Sequence, residues 1–190
     1  MDVRSSKADN FRVVGQPAVG QDVLVQDQHC DFTRGTSKRF RVMRNVGMAA
    51  AYFPEDEPVL CFGCGDGFEI EAWRLLGFDA VGVELSDIKR TVAAKRRLTV
   101  YKSMPSGIGA NIYCAHTIEH LPYIKKTIKE LWHICLSVMC LIFPIEPHGT
   151  RNPSHLSPIK SLDDIDVPGR ILYKQSRFND EPEGVIICKR

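Results

Sequence analysis

The sequence predicts an α/β fold, with a mostly parallel central sheet, helices on both faces and a closing antiparallel strand. Three observations predict it. Short apolar runs at 59–62, 80–84, 98–101, 110–114 and 138–143 alternate with helix-like segments through short connections, the pattern of a sheet wound through helical crossovers. The run 138–143 is apolar at every position, as a strand covered on both faces must be. Three glycines, Gly63, Gly65 and Gly67, follow the first run directly, at the strand end where such sheets bind ligands.

The elements follow in order. Residues 1–37 carry weak periodicity and many polar side chains, and read as a partly irregular N-terminal arm; residues 38–190 are expected to form one domain. Phe40, Val42, Met43 and Val46 mark an amphipathic helix that must stop before Pro54. The strand 59–62 and its glycine turn lead into a helix at about 68–76, closed by Gly77 as a left-handed cap. The strand 80–84 is followed by Ser86, an N-cap candidate for a basic helix. Strands at 98–101 and 110–114 come next. Pro122 can open a helix whose apolar face is Ile124, Ile128, Leu131 and Cys135. Beyond the strand 138–143 the chain becomes loop-like over 144–166, and 170–173 with 184–188 reads as a closing strand pair.

Composition narrows the classes. The 44% hydrophobic and 25% charged residues are ordinary for a globular protein, and a net charge of +2 does not call for a polyanionic partner. The basic clusters at 34–44 and 89–97 read as solvated helix faces. Seven cysteines are an odd number without the framework of a small secreted protein. The polar first 20 residues lack the core of a signal peptide, and the longest apolar stretch, 131–145, is too short for a membrane span. A reducing, cytoplasmic location without membrane contact is expected; the oligomeric state is not legible.

The chemistry begins at the turn Cys61-Phe-Gly-Cys-Gly-Asp-Gly67. Glycine permits positive φ and lets a ligand lie on the backbone, and the helix starting at Phe68 aims its first N–H groups at the same place. Glu84 ends the next strand, where a carboxylate can accept from both hydroxyls of a ribose. A dinucleotide prefers two residues before the third glycine, whereas only Asp66 separates Gly65 from Gly67.

Residues 59–143 resemble the core of class I methyltransferases that use S-adenosylmethionine, a Rossmann-like family. Within it the chain resembles the small, single-domain members with a His-x-x-Glu-His-Leu signature. The resemblance rests on the glycine turn, on Glu84 in Val-Gly-Val-Glu-Leu-Ser86 and on Tyr113-Cys-Ala-His-Thr-Ile-Glu-His-Leu121. The segments Arg151-Asn-Pro-Ser-His-Leu-Ser-Pro158 and Ser161-Leu-Asp-Asp164 resemble a loop and short helix over the acceptor side. The resemblance implies that Gly63, Cys64, Gly65, Gly67 and Phe68 hold the methionine end, Glu84 and Leu85 the ribose, and Ser103 and Met104 the adenine, with His116 at the cofactor's edge. Two departures stand out: Cys61 replaces the usual acid before the turn, and Lys102-Ser-Met104 lacks the acid often found near the adenine.

His116 and His155 are the candidates for a general base facing the acceptor. His120 reads as packing under the turn. Cys61, Cys64, Cys114 and His116 could form a zinc site if their strands are neighbours, but the glycines between the cysteines suit a cofactor cradle, and no metal is expected. The motifs of base-directed DNA methyltransferases are absent from the sequence. The expected function is methyl transfer to a small molecule or carbohydrate. The alternatives are a non-catalytic S-adenosylmethionine-binding or scaffold domain, and an RNA or protein methyltransferase.

Overall fold

Alternation of apolar strands with amphipathic helices leaves one efficient arrangement, and the chain adopts it. The computed structural model describes residues 12–13, 35–149, 152–176 and 182–190. Most of the expected arm, and Arg151, lie outside these residues. The strands are β1 (Arg12–Val13), β2 (Val59–Phe62), β3 (Ala80–Val83), β4 (Val100–Tyr101), β5 (Ile108–Ala115), β6 (Cys135–Pro144), β7 (Arg170–Gln175) and β8 (Glu183–Lys189). The helices are α1 (Gly35–Ala50), α2 (Phe68–Leu75), α3 (Asp87–Lys95) and α4 (Ile124–Ile134). One-turn 3-10 helices stand at Ile118–His120 and Leu162–Asp164.

The sheet order is β4-β3-β2-β5-β6-β8-β7, with β1 against the start of β5. Pairing is parallel from β4 through β6, and antiparallel for β6 with β8 and β8 with β7. The expected mostly parallel sheet with an antiparallel finish is therefore observed, with β8 inserted between β6 and β7. The two faces bury separate cores. One holds Val46 and Ala49 of α1, Ile70 and Trp73 of α2, and Cys61, Tyr113 and Cys140 from the strands. The other holds Ile128, Leu131 and Ile134 of α4 against Leu60, Ile112, Cys114 and Met139. Trp73 anchors the first, with Phe53, Phe78 and Tyr113 ring centroids 4.7, 4.9 and 5.5 Å away.

Several boundaries move for identifiable reasons. α1 starts at Gly35, so the expected boundary at 37/38 falls inside its first turn. α4 starts at Ile124, because a 3-10 turn precedes Pro122. Cys135 is the first residue of β6 rather than part of the helix face. There β5 and β6 shift register at Asn111, whose Oδ1 accepts from Ser137 N and Val138 N at 3.1 and 2.8 Å. Its Nδ2 donates to Glu57, which also accepts from Ser137 Oγ, so the buried irregularity leaves no orphaned amide. Ser86 caps α3 by accepting from Lys89 N, and Gly77 has φ +92° beyond α2. No described helix is long and apolar enough to cross a membrane.

Candidate functional site

The parallel strands β2, β3 and β5 end together, and the predicted residues collect at those ends. Gly63, Gly65 and Gly67 all have positive φ, at +72°, +56° and +89°, so each needs the freedom of glycine. Their roles differ. A Cβ on Gly63 would overlap the Thr117 side chain, and one on Gly67 would overlap Leu98. A Cβ on Gly65 would meet no heavy atom within 4 Å. Two of the glycines thus let neighbouring elements close on the turn, and the third presents bare backbone to open space.

Glu84 secures that presentation. Its Oε2 accepts from Gly65 N and its Oε1 from Ser86 N, both at 2.9 Å. Each carboxylate oxygen keeps a second lone pair with which to accept from a ligand hydroxyl. Gly63 N and Cys64 N donate to Val83 O, which lashes the turn to the end of β3. Arg90 donates at 2.7 Å to the carbonyls of Glu84 and Leu85 and pairs with Asp87, fixing the loop that carries the acid.

The remaining predicted cofactor contacts are placed unevenly. The guanidinium groups of Arg96 and Arg39 stand 3.8 and 4.9 Å from the centroid of the Phe68 ring, and the Phe68 backbone opens α2 directly after the turn. Ser103 is exposed after β4, and Met104 is half-buried against the second core. Cys64 is buried beneath the turn, packed against Gly82. β2 and β5 are indeed neighbours, but Cys61 and Cys64 belong to the first core and Cys114 to the second. The cysteines therefore face opposite sides of the sheet, and burial pushes all three thiols up, away from the thiolate form that binds metals.

His116 directly follows β5 in a left-handed conformation, φ +51°, with its N–H donating to Ile142 O. That conformation is costly for a residue with a Cβ and marks a constrained position. Its Nε2 lies 2.9 Å from Glu183 Oε1, an ion-pair contact not aligned for a hydrogen bond, and its Nδ1 lies 3.8 Å from Glu119 Oε1. Burial acts to raise the Glu183 carboxyl, but the contact with His116 and the charges of Arg41 and Arg44 outweigh it and hold it below its ordinary value. His155 donates from Nδ1 to Glu146 Oε1 at 3.0 Å, and Asn152 Nδ2 lies 3.0 Å from its Nε2.

Sequence reasoning missed three residues here. Thr117 packs under Gly63 and donates to Ala115 O. Glu183, from the far end of the chain, reaches His116 across β6. Glu119 is 1% exposed, although it is a carboxylate in the segment quoted for the family resemblance. His120, read as packing under the turn, is half-buried, with its ring 4.9 Å from that of His155 and its Nδ1 2.9 Å from Ser154 O. A glutamate flanked by histidines after an apolar strand was the available signal.

No family model and no curated protein matches the sequence. Solved structures do. An S-adenosylmethionine-dependent methyltransferase from Archaeoglobus fulgidus superposes with a TM-score of 0.58 at 16% identity, over 80% of this chain and 94% of that one. Magnesium protoporphyrin IX methyltransferase from Synechocystis PCC 6803, with bound S-adenosylhomocysteine, gives 0.61 at 16% identity over 87% and 90%. An S-adenosylmethionine-dependent methyltransferase from Clostridium acetobutylicum ATCC 824 gives 0.61 at 11% identity over 80% and 91%. The likeness is one of fold, and the fold is that of S-adenosylmethionine-dependent methyltransferases.

Proposed function

We propose that this chain is an enzyme that binds S-adenosylmethionine at the glycine turn and transfers its methyl group to a small molecule or carbohydrate. Its place among the small single-domain members with the His-x-x-Glu-His-Leu signature is part of the same reading. The observation that carries it is the pairing of Gly65 with Glu84: bare, left-handed backbone facing open space, held by the acid that ends the neighbouring strand. The residues present fit the ligand, because a Cβ at Gly65 would stand in the space a ligand on the turn would take.

Bound there, S-adenosylmethionine supplies a methyl group already activated by its positive sulfonium. The protein's own work is then alignment and exclusion of water. Gly63, Cys64, Gly65, Gly67 and the Phe68 backbone form the floor; Glu84 and Leu85 meet the ribose; Ser103 and Met104 border the adenine. Where the acceptor is a hydroxyl or an ammonium group, His116 takes its proton. Glu183 stabilises the resulting imidazolium from 2.9 Å, as a carboxylate behind a catalytic histidine does. His155 is the second candidate, because its Nε2 must first release Asn152 Nδ2 at 3.0 Å before it can accept a proton. The six described cysteines, free and buried, suit a reducing cytoplasm.

The test is calorimetry with S-adenosylhomocysteine, followed by incorporation of labelled methyl into metabolite and glycan fractions. Stoichiometric binding and label in one fraction are expected. Absence of binding at millimolar ligand overturns the proposal; binding without turnover leaves a non-catalytic binding domain.

A further inference from the structure

Three side chains at the end of β5 converge without any part in holding the cofactor. One carboxylate oxygen of Glu119 and one ring nitrogen each of His120 and His155 lie within 4.8 Å of one another. They come from two segments, the 3-10 turn after β5 and the loop after β6. These segments are locked together by Ser157, whose N–H donates to Glu119 O at 3.0 Å and whose hydroxyl donates to Leu121 O at 2.7 Å.

The ring orientations follow from the partners. His120 Nδ1 faces Ser154 O at 2.9 Å; a carbonyl can only accept, so Nδ1 carries the proton and Nε2 of the neutral ring keeps its lone pair. His155 Nδ1 faces the Glu146 carboxylate, so its Nε2 likewise keeps a lone pair, directed at Asn152 Nδ2. Asn152 Oδ1 accepts from Ser154 N and Oγ, which fixes the amide with its nitrogen toward that ring. His120 Nε2 is 3.9 Å from Glu119 Oε1, close enough to face it and too far for a direct hydrogen bond. Glu119 Oε2 is buried without a hydrogen-bond partner. A buried carboxylate left this way is costly unless a cation joins it.

We propose that Glu119, His120 and His155 form a binding site for a divalent first-row transition-metal ion. Two imidazoles and a carboxylate are a donor set such ions take. Ligands about 2.1 Å from an ion stand about 3.0–3.4 Å apart, so separations of 3.9 Å for His120 and Glu119 and up to 4.8 Å within the group must close by side-chain rotation, the His155 ring exchanging Asn152 for the ion. Each imidazole already has its other nitrogen on an oxygen, the arrangement that orients metal-bound histidines and raises their basicity. Three protein ligands leave coordination positions open. That an oxygen of the acceptor fills one of them rests on the methyl-transfer reading; the ion's binding does not.

The experiment takes the tag-free full chain, stripped with a chelator and titrated with cobalt(II) alone. Calorimetry and visible absorption are recorded, and S-adenosylhomocysteine binding is measured in parallel. One cobalt per chain is expected, with no thiolate-to-cobalt charge-transfer band. Glu119→Gln and His120→Ala should each abolish stoichiometric uptake, Glu146→Gln should weaken it about 10-fold or more, and Cys64→Ser should leave it unchanged. Should the ligand variants fold poorly, the absorption of the unaltered chain and the Glu146→Gln titration decide. Absence of stoichiometric cobalt in the folded chain, a thiolate band, or uptake indifferent to the substitutions overturns the site. Cobalt uptake without S-adenosylhomocysteine binding would sink the cofactor reading alone, and the reverse would sink the metal site alone.

Discussion

Replacing Gly65 by alanine separates cradle from scaffold. The residue sits at φ +56°, and a Cβ there meets no heavy atom within 4 Å. The fold therefore loses only the cost of a left-handed alanine, about 1–2 kcal/mol, which for a chain of this size lowers the melting temperature by roughly 2–8 °C. Gly77 supplies the control: φ +92°, equally open space, but at the far end of α2. Gly77→Ala should therefore cost at least as much stability, since φ +92° lies further from the left-handed region open to alanine. The two variants part in ligand binding. The new methyl at Gly65 stands where a ligand on the turn would lie, and S-adenosylhomocysteine affinity should fall at least about 10-fold, or about 1.4 kcal/mol. Gly77→Ala should bind as the parent does. Differential scanning fluorimetry gives the first comparison and calorimetry the second. Equal affinity in both folded variants would refute the assignment of the turn as the cradle.

Glu84→Ala removes an acceptor from two backbone amides as well as from the ligand, and should weaken S-adenosylhomocysteine binding by about 1.5–3 kcal/mol by calorimetry. Asn111→Leu leaves the Ser137 and Val138 amides without their acceptor and takes one of two donors from Glu57; it should lower the urea midpoint by an amount equivalent to about 3 kcal/mol, with S-adenosylhomocysteine binding retained in the folded fraction. The Glu183 carboxyl is held below its ordinary value in the folded chain, so the unfolded chain binds the extra proton first. Its stabilisation is full above the ordinary glutamate range and is lost as pH falls through the lowered value. Glu183→Gln should flatten that acid-side loss in thermal melts below about pH 4.5, and an unchanged slope would contradict the pairing. On the acceptor that the labelling screen reveals, His116→Ala should reduce turnover about 100-fold while leaving cofactor affinity intact.

The fold was legible where it depends on periodicity and on single residues with strong backbone preferences. The fully apolar run of β6, Gly77 beyond α2, Ser86 before α3 and the three glycines after β2 each fix a local geometry that tertiary context did not override. The glycine turn and Glu84 were legible together because both sit at strand ends, so their meeting requires only that β2 and β3 pair in parallel. What stayed hidden depends on register across distant segments. Glu183 meets His116 only because β8 runs antiparallel to β6 in a particular alignment. Asn111 looks misplaced in an apolar strand until Ser137 and Glu57 are beside it. The cysteines suggested one cluster in sequence, yet adjacent strands placed Cys61 and Cys114 on opposite faces, because alternation decides the face and spacing along the chain does not.

The basic runs at 34–44 and 89–97 look different once their partners are known. Arg44 pairs with Glu183 at 3.4 Å, and Arg41 adds its charge to the same carboxylate. Arg96 pairs with Glu71, donates to Asp66 O and covers the Phe68 ring. Arg90 clamps the loop after Glu84. These side chains surround the strand ends from α1 and α3 and make intramolecular contacts, most of them with residues of the turn or with the carboxylate behind His116. A chain with a net charge of only +2 thus sets arginines beside the acids at this edge of the sheet. On the same edge three imidazoles face Glu119, and Glu146 and Glu183 stand behind His155 and His116. Partially buried carboxylates repel one another unless cations are interleaved among them. Arg44 supplies that charge for Glu183; Glu119, buried with only imidazoles facing it, has no arginine or lysine in an ion pair among the described residues, which is the geometry a metal ion would complete.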